Sequence, residues 1–217
     1  MGGMKVPRGD NRFTGETDLR GDAVPHSRRE PQTGRILRTM QQKPTFYLID
    51  GSAYIHRAYH AIRGLSNSKG LPTNAVFGFT RMLLKLMQDR SPVYAAMLFD
   101  AKGPTFRHDM YRDYKANRPP MPEDLAMQIP FIKEVTKGFN LPVIEKTGYE
   151  ADDLIGTLAR MAETAGYTVV MVTGDKDFMQ LVTDNATIWD PMKDEVIDTA
   201  VVRQKFDVTP SQMVDVK

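Results

Sequence analysis

Five carboxylates occupy two short clusters in the second half of the chain. The first cluster is Glu150, Asp152 and Asp153, and the second is Asp175 and Asp177. Each cluster lies where an extended, apolar stretch gives way to apolar residues at helical spacing, which predicts a strand-to-helix turn. Carboxylates held this close repel one another unless they share a cation. Because Mg²⁺ and Mn²⁺ prefer oxygen ligands, the spacing predicts a divalent metal site.

Helix capping is the competing explanation for these acids. An aspartate at a helix start accepts hydrogen bonds from free backbone N–H groups and interacts favourably with the helix dipole. That role accounts well for Asp175, which follows a predicted strand. It accounts poorly for Glu150, Asp152 and Asp153 together, because one cap requires one acceptor and not three. We therefore prefer the metal hypothesis for the group as a whole.

The elements that must position these acids alternate between strands and helices. Periodicity predicts strands at 45–50, 94–100, 141–145, 167–172, 186–190 and 195–197. It predicts helices at 52–62, 73–89, 123–138 with a bend at Pro130, from 150–152 onward, 178–182 and 199–206, with another opening at 209–211. Such alternation predicts an α/β, three-layer fold with a mainly parallel central sheet.

Two further acids, Asp50 and Asp100, end predicted strands. In parallel α/β sheets, ligands bind at the carboxyl ends of the strands, so four strand ends are expected to deliver acids to one crevice. An all-carboxylate set without a nearby Cys or His favours Mg²⁺ or Mn²⁺ over zinc. Such sites commonly hold two ions about 4 Å apart, which activate a water and stabilise the leaving oxygen in phosphodiester cleavage.

Residues 102–118 form a basic segment with interleaved aromatic side chains. The segment holds five Lys or Arg residues against two Asp, together with Phe106, Tyr111 and Tyr114. This composition supplies the phosphate contacts and stacking surfaces that a polyanionic substrate requires. A solvated amphipathic helix is the alternative interpretation of the segment taken alone.

Residues 1–43 differ from the rest of the chain. They contain six glycines, three prolines, nine basic and five acidic residues, without sustained periodicity. We predict a disordered N-terminal extension, since this composition buries too little apolar surface to offset ordering entropy. A basic arm that touches nucleic acid and an over-extended reading frame with a start at Met40 are alternatives. The remaining residues, 44–217, are then one domain.

Composition also bears on the class of protein. Hydrophobic residues make up 41% of the chain, there is no cysteine, and no apolar run approaches the length of a membrane span. Disulfides and thiolate metal sites are therefore excluded. We expect a soluble, cytoplasmic protein with no membrane partner.

The chain contains five short motifs in this order: Leu48-Ile-Asp-Gly51, Phe99-Asp100, Tyr114-Lys-Ala-Asn-Arg118, Glu150-Ala-Asp-Asp153 and Thr173-Gly-Asp-Lys-Asp177. These motifs resemble those of the 5′-nuclease family, and most of all the N-terminal 5′→3′ exonuclease domains of bacterial DNA polymerase I. The resemblance implies a PIN-like fold and a Mg²⁺-dependent 5′→3′ exonuclease and flap endonuclease. Its expected substrates are DNA 5′ flaps, nicked duplexes and RNA primers in replication and repair.

The resemblance also implies roles for individual residues. Asp50, Asp100, Glu150 and Asp152 are expected to hold a first ion with Asp153 beside it, and Asp175 and Asp177 to reach toward a second. Arg107, Arg112, Lys115 and Arg118 are expected to bind the scissile phosphate and the 5′ strand, while Tyr114 stacks on a base. Of these, Lys115 and Arg107 are the expected catalytic residues, with Lys115 stabilising transition-state charge.

One departure from the family concerns the end of the chain. In the family, a further pair of aspartates and a helix-hairpin-helix DNA clamp follow the region where this sequence stops, and no polymerase domain is present here. We expect a truncated domain in which the second ion is weakly held. A DNA-binding remnant with little turnover is one alternative. A PIN-type single-strand ribonuclease is another, although such a minimal domain does not need the long basic segment.

Overall fold

The computed structural model describes residues 43–216. The predicted disordered extension at 1–43 lies, apart from Lys43, outside the described residues. The strands are β1 Thr45–Asp50, β2 Tyr94–Leu98, β3 Val143–Ile144, β4 Thr168–Val172, β5 Ala186–Asp190 and β6 Glu195–Ile197. The helices are α1 Gly51–Ala61, α2 Asn74–Arg90, α3 Phe106–Met110, α4 Glu123–Ala126, α5 Ile129–Gly138, α6 Ala151–Thr164 and α7 Thr199–Phe206, with 3₁₀ helices at Lys176–Leu181 and Pro210–Val216.

The six strands form one sheet in the order β3-β2-β1-β4-β5-β6. All neighbouring strands are parallel except β6, which runs antiparallel to β5. Because successive side chains of a strand point to opposite faces, Leu48 and Ile49 of β1 enter two different cores. Each fully buried side chain of this kind contributes about 1.5–3 kcal/mol of transfer free energy.

Helices cover both faces of the sheet. The core containing Leu48 includes Ile155 and Ala159 of α6 and Val202 of α7, whereas the core containing Ile49 includes residues of α1, α2 and α5. The predicted three-layer α/β fold with a mainly parallel sheet is confirmed. No helix of the described residues has the length and apolar character needed to cross a membrane.

The predicted single helix 123–138, bent at Pro130, is wrong. The chain instead forms α4 and α5, and Pro130 lies in the first turn of α5, where its missing N–H costs nothing. Gln128 lies at the junction and is fully buried. Its amide donates to Asn74 Oδ1 at 2.9 Å and accepts from the Ala75 backbone N–H at 2.8 Å. The break thus places the Gln128 side chain where its hydrogen bonds connect the junction of α4 and α5 to α2.

Three other stretches are shorter or tighter than predicted. The strand expected at 141–145 is reduced to Val143–Ile144, and the helix expected at 178–182 is the 3₁₀ helix Lys176–Leu181. The basic segment 102–118 is not one amphipathic helix, since only Phe106–Met110 is helical and turns follow. Its side chains are therefore not arranged along a single solvated face.

The topology brings the acids to one edge of the sheet. Strands β1, β2 and β4 are parallel neighbours, so their carboxyl ends share an edge. Asp50 is the last residue of β1, Asp100 follows β2 by two residues, and Asp175 follows β4 by three. The start of α6, with Asp152 in its first turn, completes the group.

Candidate active site

Asp50 is the most deeply buried acid of the group, with 3% of its surface exposed. It caps α1 by accepting from the Ala53 backbone N–H at 2.9 Å, and its other oxygen accepts from the Thr173 hydroxyl at 2.9 Å. Burial raises the pKa of Asp50 from 3.8 to about 6, with additional repulsion from Asp100 and Asp175, although the two hydrogen bonds oppose this shift. The carboxylate is therefore held by neutral donors in a site that disfavours its charge.

Asp100 joins the end of β2 to the start of α6. Its Oδ1 accepts from the Ala151 backbone N–H at 2.7 Å, and its own backbone N–H donates to the Ser52 hydroxyl at 2.9 Å. The first contact is favourable because a helix N-terminus presents unpaired N–H groups to an anion. These contacts hold the exposed carboxylate of Asp100 beside the first turn of α6 and the start of α1.

Glu150 precedes α6 and lies under the basic segment. Its Oε1 accepts from Lys115 Nζ at 2.7 Å, and its Oε2 accepts from the Tyr114 hydroxyl at 3.1 Å. Lys115 has a backbone φ of 57°, in the left-handed region that costs a non-glycine residue on the order of 1 kcal/mol. The turn thus holds Lys115 in an unfavourable conformation that directs its ammonium group to an acid of the cluster.

Asp153 is paired with Arg107 of α3. Each oxygen of Asp153 accepts from one terminal nitrogen of Arg107 at 2.7 Å, and Oδ2 also accepts from the Glu150 backbone N–H at 3.0 Å. The hydrogen bonds from Arg107 hold the pKa of Asp153 below 3.8, and the same pairing raises the pKa of Arg107. This two-pronged geometry is the strong form of an arginine–carboxylate pair.

The pKa of Asp152 is shifted in the opposite direction from that of Asp153. Although the side chain of Asp152 is exposed, its pKa is raised from 3.8 to about 7. Loss of hydration against the surrounding protein is the largest cause, followed by the negative charges of Asp50, Asp175, Asp100 and Glu150, in that order. Acids from the ends of three strands thus act on one carboxylate, which is the convergence that the strand-end argument predicts.

The second cluster lies in the turn after β4. Asp175 caps the 3₁₀ helix by accepting from the Asp177 backbone N–H at 2.9 Å, as the capping interpretation expects. The backbone N–H of Asp175 donates to the Thr173 hydroxyl at 3.2 Å, which links this turn to Asp50. Both carboxylates are exposed. Capping and a role toward a cation are compatible, because capping occupies only one oxygen of Asp175.

The donor set has the chemistry of a hard divalent cation site. All the converging groups are carboxylates, and two of them have pKa values raised in part by mutual repulsion. However, the Asp, Glu and His side chains of residues 43–216 form no group of three that could hold a metal ion as they stand. Glu150 and Asp153 instead contact Lys115 and Arg107. Ligation by Glu150 requires an exchange of partners, and the ligand roles stay predictions.

The structure separates the residues predicted to bind DNA into two sets. Arg107, Tyr114 and Lys115 are half-buried against the acids, and the Tyr114 ring lies near Arg107, Lys115 and His108. Arg112 and Arg118 are exposed. The positive charge of Arg118 and the negative charge of Asp100 both act on the pKa of His56, so Arg118 lies at the same edge of the sheet.

Five side chains near the site were not predicted. Ser52 and Thr173 hold Asp100 and Asp50. Arg57 contacts the Thr173–Asp175 turn at Gly174, and Tyr149 packs on Phe106 with Lys146 over its ring. Thr173 and Ser52 lie within two residues of predicted acids, which is the signal that could have identified them. Arg57 carries no such signal, because its partners lie far away in the chain.

The model of the family described as 5′-3′ exonuclease, N-terminal resolvase-like domain, matches residues 45–207. A 5′-3′ exonuclease of Aquifex aeolicus is 44% identical over 171 residues, which cover 79% of this chain and 59% of that protein. DNA polymerase I of Rhizobium leguminosarum is 45% identical over 186 residues, 82% of this chain and 18% of the polymerase. The chain thus spans about three fifths of one relative and under one fifth of the other.

Solved structures agree on the fold. The D15 protein of bacteriophage T5, co-crystallised with metal ions, superposes with a TM-score of 0.62 at 17% identity over 80% of this chain and 64% of that one. A T5 5′-exonuclease with bound zinc gives a TM-score of 0.61 at 18% identity, over 78% of this chain and 64% of that one. The PIN-like architecture expected from the motif resemblance is confirmed.

Proposed function

The chain belongs to the 5′-3′ exonuclease family through its N-terminal resolvase-like domain, and from this premise we propose that it hydrolyses phosphodiester bonds at DNA 5′ ends. The proposed substrates are 5′ flaps, nicked duplexes and RNA primers. The observation that carries the proposal is that a cluster of carboxylates lies in contact with two basic side chains. Loss of hydration and repulsion among the acids raise the pKa of Asp152, while Lys115 and Arg107 donate to Glu150 and Asp153 at the start of α6 at 2.7 Å.

A divalent cation, Mg²⁺ or Mn²⁺, is the proposed cofactor. Asp50, Asp100, Glu150 and Asp152 would hold a first ion, and Asp175 and Asp177 a second, more weakly bound one. When bound, such ions activate a water molecule and stabilise charge on the phosphate. A T5 5′-exonuclease has been solved with divalent zinc ions bound, which supports divalent metal use in this fold.

Lys115 and Arg107 are proposed to act on the phosphate. Both already donate to carboxylates, so an incoming phosphate competes for donors that are oriented in advance. Lys115 carries a compact charge at the end of a flexible chain, which suits transition-state stabilisation. Both terminal nitrogens of Arg107 donate to Asp153, so the first role of Arg107 is to hold that acid and the start of α6 in place.

Arg112, Arg118 and Tyr114 are proposed to bind the 5′ strand. The exposed Arg112 and Arg118 supply phosphate contacts that add affinity without sequence preference. Stacking by Tyr114 requires release of its hydroxyl from Glu150, since the ring is half-buried in the contacts described above. Tyr114 therefore stacks only after Glu150 has changed partner.

Cleavage assays on matched substrates test the proposal. The chain is incubated with 5′-flap DNA, nicked duplex or single-stranded RNA, in Mg²⁺ and separately in Ca²⁺, with Asp50→Asn as the inactive control. We expect Mg²⁺-dependent release of short 5′ products from the DNA substrates. Tight binding of flap DNA without cleavage would instead support a DNA-binding remnant. Preferred cleavage of single-stranded RNA would support a PIN-type ribonuclease.

A further inference from the structure

Asp190 is a buried acid for which the proposed reaction has no use. It is the last residue of β5 and only 2% exposed. Its Oδ1 accepts from Arg57 Nη1 at 2.9 Å and from the Met192 backbone N–H at 3.0 Å. A buried carboxylate is costly unless it is paired, so the position of Arg57 and the charge of Asp190 depend on each other.

Arg57 lies against the backbone of Gly174. It occupies α1, two turns after Asp50, and its guanidinium packs so closely that a Cβ built on Gly174 falls 1.7 Å from Nη2 and 2.2 Å from Cζ. Such a separation is far below van der Waals contact. Only a residue without a side chain fits beneath the guanidinium while Arg57 keeps this position.

The Thr173–Asp175 turn is therefore held on two sides. On one side the Thr173 hydroxyl donates to Asp50 at 2.9 Å and accepts from the Asp175 backbone N–H. On the other side Arg57, fixed by Asp190, lies over Gly174. The turn leads directly into the exposed Asp175 and Asp177, so its conformation sets where these two carboxylates stand.

We propose that Asp190 and Arg57 are positioning residues for the second cation: together they clamp the Thr173–Asp175 turn and so hold Asp175 and Asp177 toward a divalent ion. The inference rests on the proposed function for the identity of the ion, but it concerns binding and not turnover. Asp190 also caps the β5–β6 turn through Met192, and an experiment must separate these two roles.

Asp190→Asn separates them, because an asparagine keeps an oxygen for the Met192 N–H and loses the charge that fixes Arg57. Arg57→Lys keeps a cation but not the planar group that covers Gly174. Gly174→Ala leaves both residues of the pair intact and displaces the guanidinium by steric overlap. Asp194→Asn is the matched control, since Asp194 lies in the same β5–β6 turn, is exposed and pairs with Lys85.

The measurement is Mn²⁺ binding by the full chain, followed by electron paramagnetic resonance of the free ion. We expect two classes of site in the parent, and about a tenfold or greater loss of affinity at the weaker class in all three variants, as for other residues that orient ligands. The tighter class and the Asp194→Asn control should be unchanged. In flap cleavage, we expect the variants to show reduced kcat with an unchanged KM.

Three results would overturn the clamp. The first is a single class of Mn²⁺ site in the parent. The second is an Asp190→Asn isotherm that matches the parent while its melting temperature falls, which would leave Asp190 as a turn cap only. The third is unchanged weak-site affinity in Arg57→Lys and Gly174→Ala, which decides the matter if Asp190→Asn fails to fold. A parent that binds two Mn²⁺ ions but cleaves no substrate would overturn the proposed function and leave the clamp standing.

Discussion

The carboxylates of the site fall into two groups that differ in how their charge is balanced. Glu150 and Asp153 contact Lys115 and Arg107 at 2.7 Å, and the pKa of Asp153 is lowered by hydrogen bonds from Arg107. We call these two acids the compensated pair. Asp50 and Asp152, the uncompensated pair, have pKa values raised to about 6 and about 7.

The contrast indicates where a bound cation would have the largest effect. The two groups lie close enough for Glu150 to raise the pKa of Asp152, yet the basic side chains reach only the compensated pair. Asp50 receives hydrogen bonds from the Ala53 N–H and the Thr173 hydroxyl, which are neutral donors. The uncompensated pair therefore gains most from a divalent ion, while the compensated pair fixes the start of α6 without one.

Of the variants considered, Asp152→Asn should have the largest effect, because it removes one acid of the uncompensated pair. Loss of a proposed ligand from the uncompensated pair removes several kcal/mol of metal-dependent charge stabilisation, so flap cleavage in Mg²⁺ should fall about 10³-fold. In EDTA the same variant should melt at a higher temperature than the parent, because an uncharged amide relieves repulsion. Cleavage rates and melting curves with and without Mg²⁺ measure both effects.

Asp109→Asn, an exposed acid of α3, is the control for that variant and should leave both quantities unchanged. If Asp152→Asn keeps full Mg²⁺-dependent activity, Asp152 is not a ligand. The uncompensated pair would then be a structural liability without a catalytic use.

Lys115→Ala tests the compensated pair from its basic side. Removing an oriented charge that acts in the transition state should lower kcat about 10²-fold, whereas the Kd for flap DNA should change only a few-fold. Single-turnover cleavage and binding in Ca²⁺ separate the two. Lys102→Ala removes an exposed lysine from the same segment and should cleave like the parent. A loss of affinity with an unchanged kcat would make Lys115 a binding residue only.

Arg107→Ala should mainly affect stability. It leaves Asp153, which is 19% exposed, next to Glu150 without its guanidinium, at a cost of about 2 kcal/mol once solvent screening is allowed for. For a domain of this size the melting temperature should fall by about 4–8 °C. Asp153→Asn combined with Arg107→Ala should recover part of the loss, since no unpaired charge remains.

Lys133→Ala, which removes a surface partner of Glu145, is the matched control and should cost under about 1 kcal/mol. If Arg107→Ala melts no lower than this control, the two-pronged pair with Asp153 contributes nothing beyond an ordinary surface ion pair.

The strands and the acids that follow them could be predicted because their signals are local. Thr45–Asp50, Ala186–Asp190 and Thr199–Phe206 have the predicted limits, since apolar periodicity and flanking turn residues mark them. Asp50 and Asp100 could be placed at one edge because parallel strands share their carboxyl ends. The break between α4 and α5 was missed, because it depends on the buried contacts of Gln128 with Asn74 and Ala75 on another helix.

The charge balance of the site could not be predicted. Arg107 meets Asp153 across 46 residues, Lys115 meets Glu150 across 35, and Arg57 meets Asp190 across 133. The second contact also depends on the left-handed backbone of Lys115, which no helical or strand periodicity indicates. Sequence therefore identified which residues are charged and near the site, and tertiary packing decided which of them are paired.

The smallest expected effect is on the pH dependence of stability, to which the uncompensated pair and Asp153 contribute with opposite signs. An acid whose pKa is raised in the folded state contributes stability that is present below its unfolded pKa of 3.8 and is lost as pH rises through the folded value. In EDTA, the ionisation of Asp50 and Asp152 should therefore lower the free energy of unfolding as pH rises from 4 to 7. Asp153 acts with the opposite sign, since its lowered pKa contributes stability that is lost only as pH falls below about 4.

His56 works against the uncompensated pair, because burial lowers its pKa and a lowered histidine pKa makes folding less favourable as pH falls. The parent is therefore compared with Asp152→Asn at pH 5 and pH 7.5 in EDTA, which cancels the contribution of His56. The parent should lose about 1 kcal/mol more than the variant over this range, or about 2–4 °C of melting temperature, with screening of the accessible Asp152 included. Millimolar Mg²⁺ should remove the difference by favouring the ionised carboxylates. If the melting temperatures of the parent and the variant depend on pH in the same way, Asp152 experiences no excess repulsion. It would then not belong to the uncompensated pair.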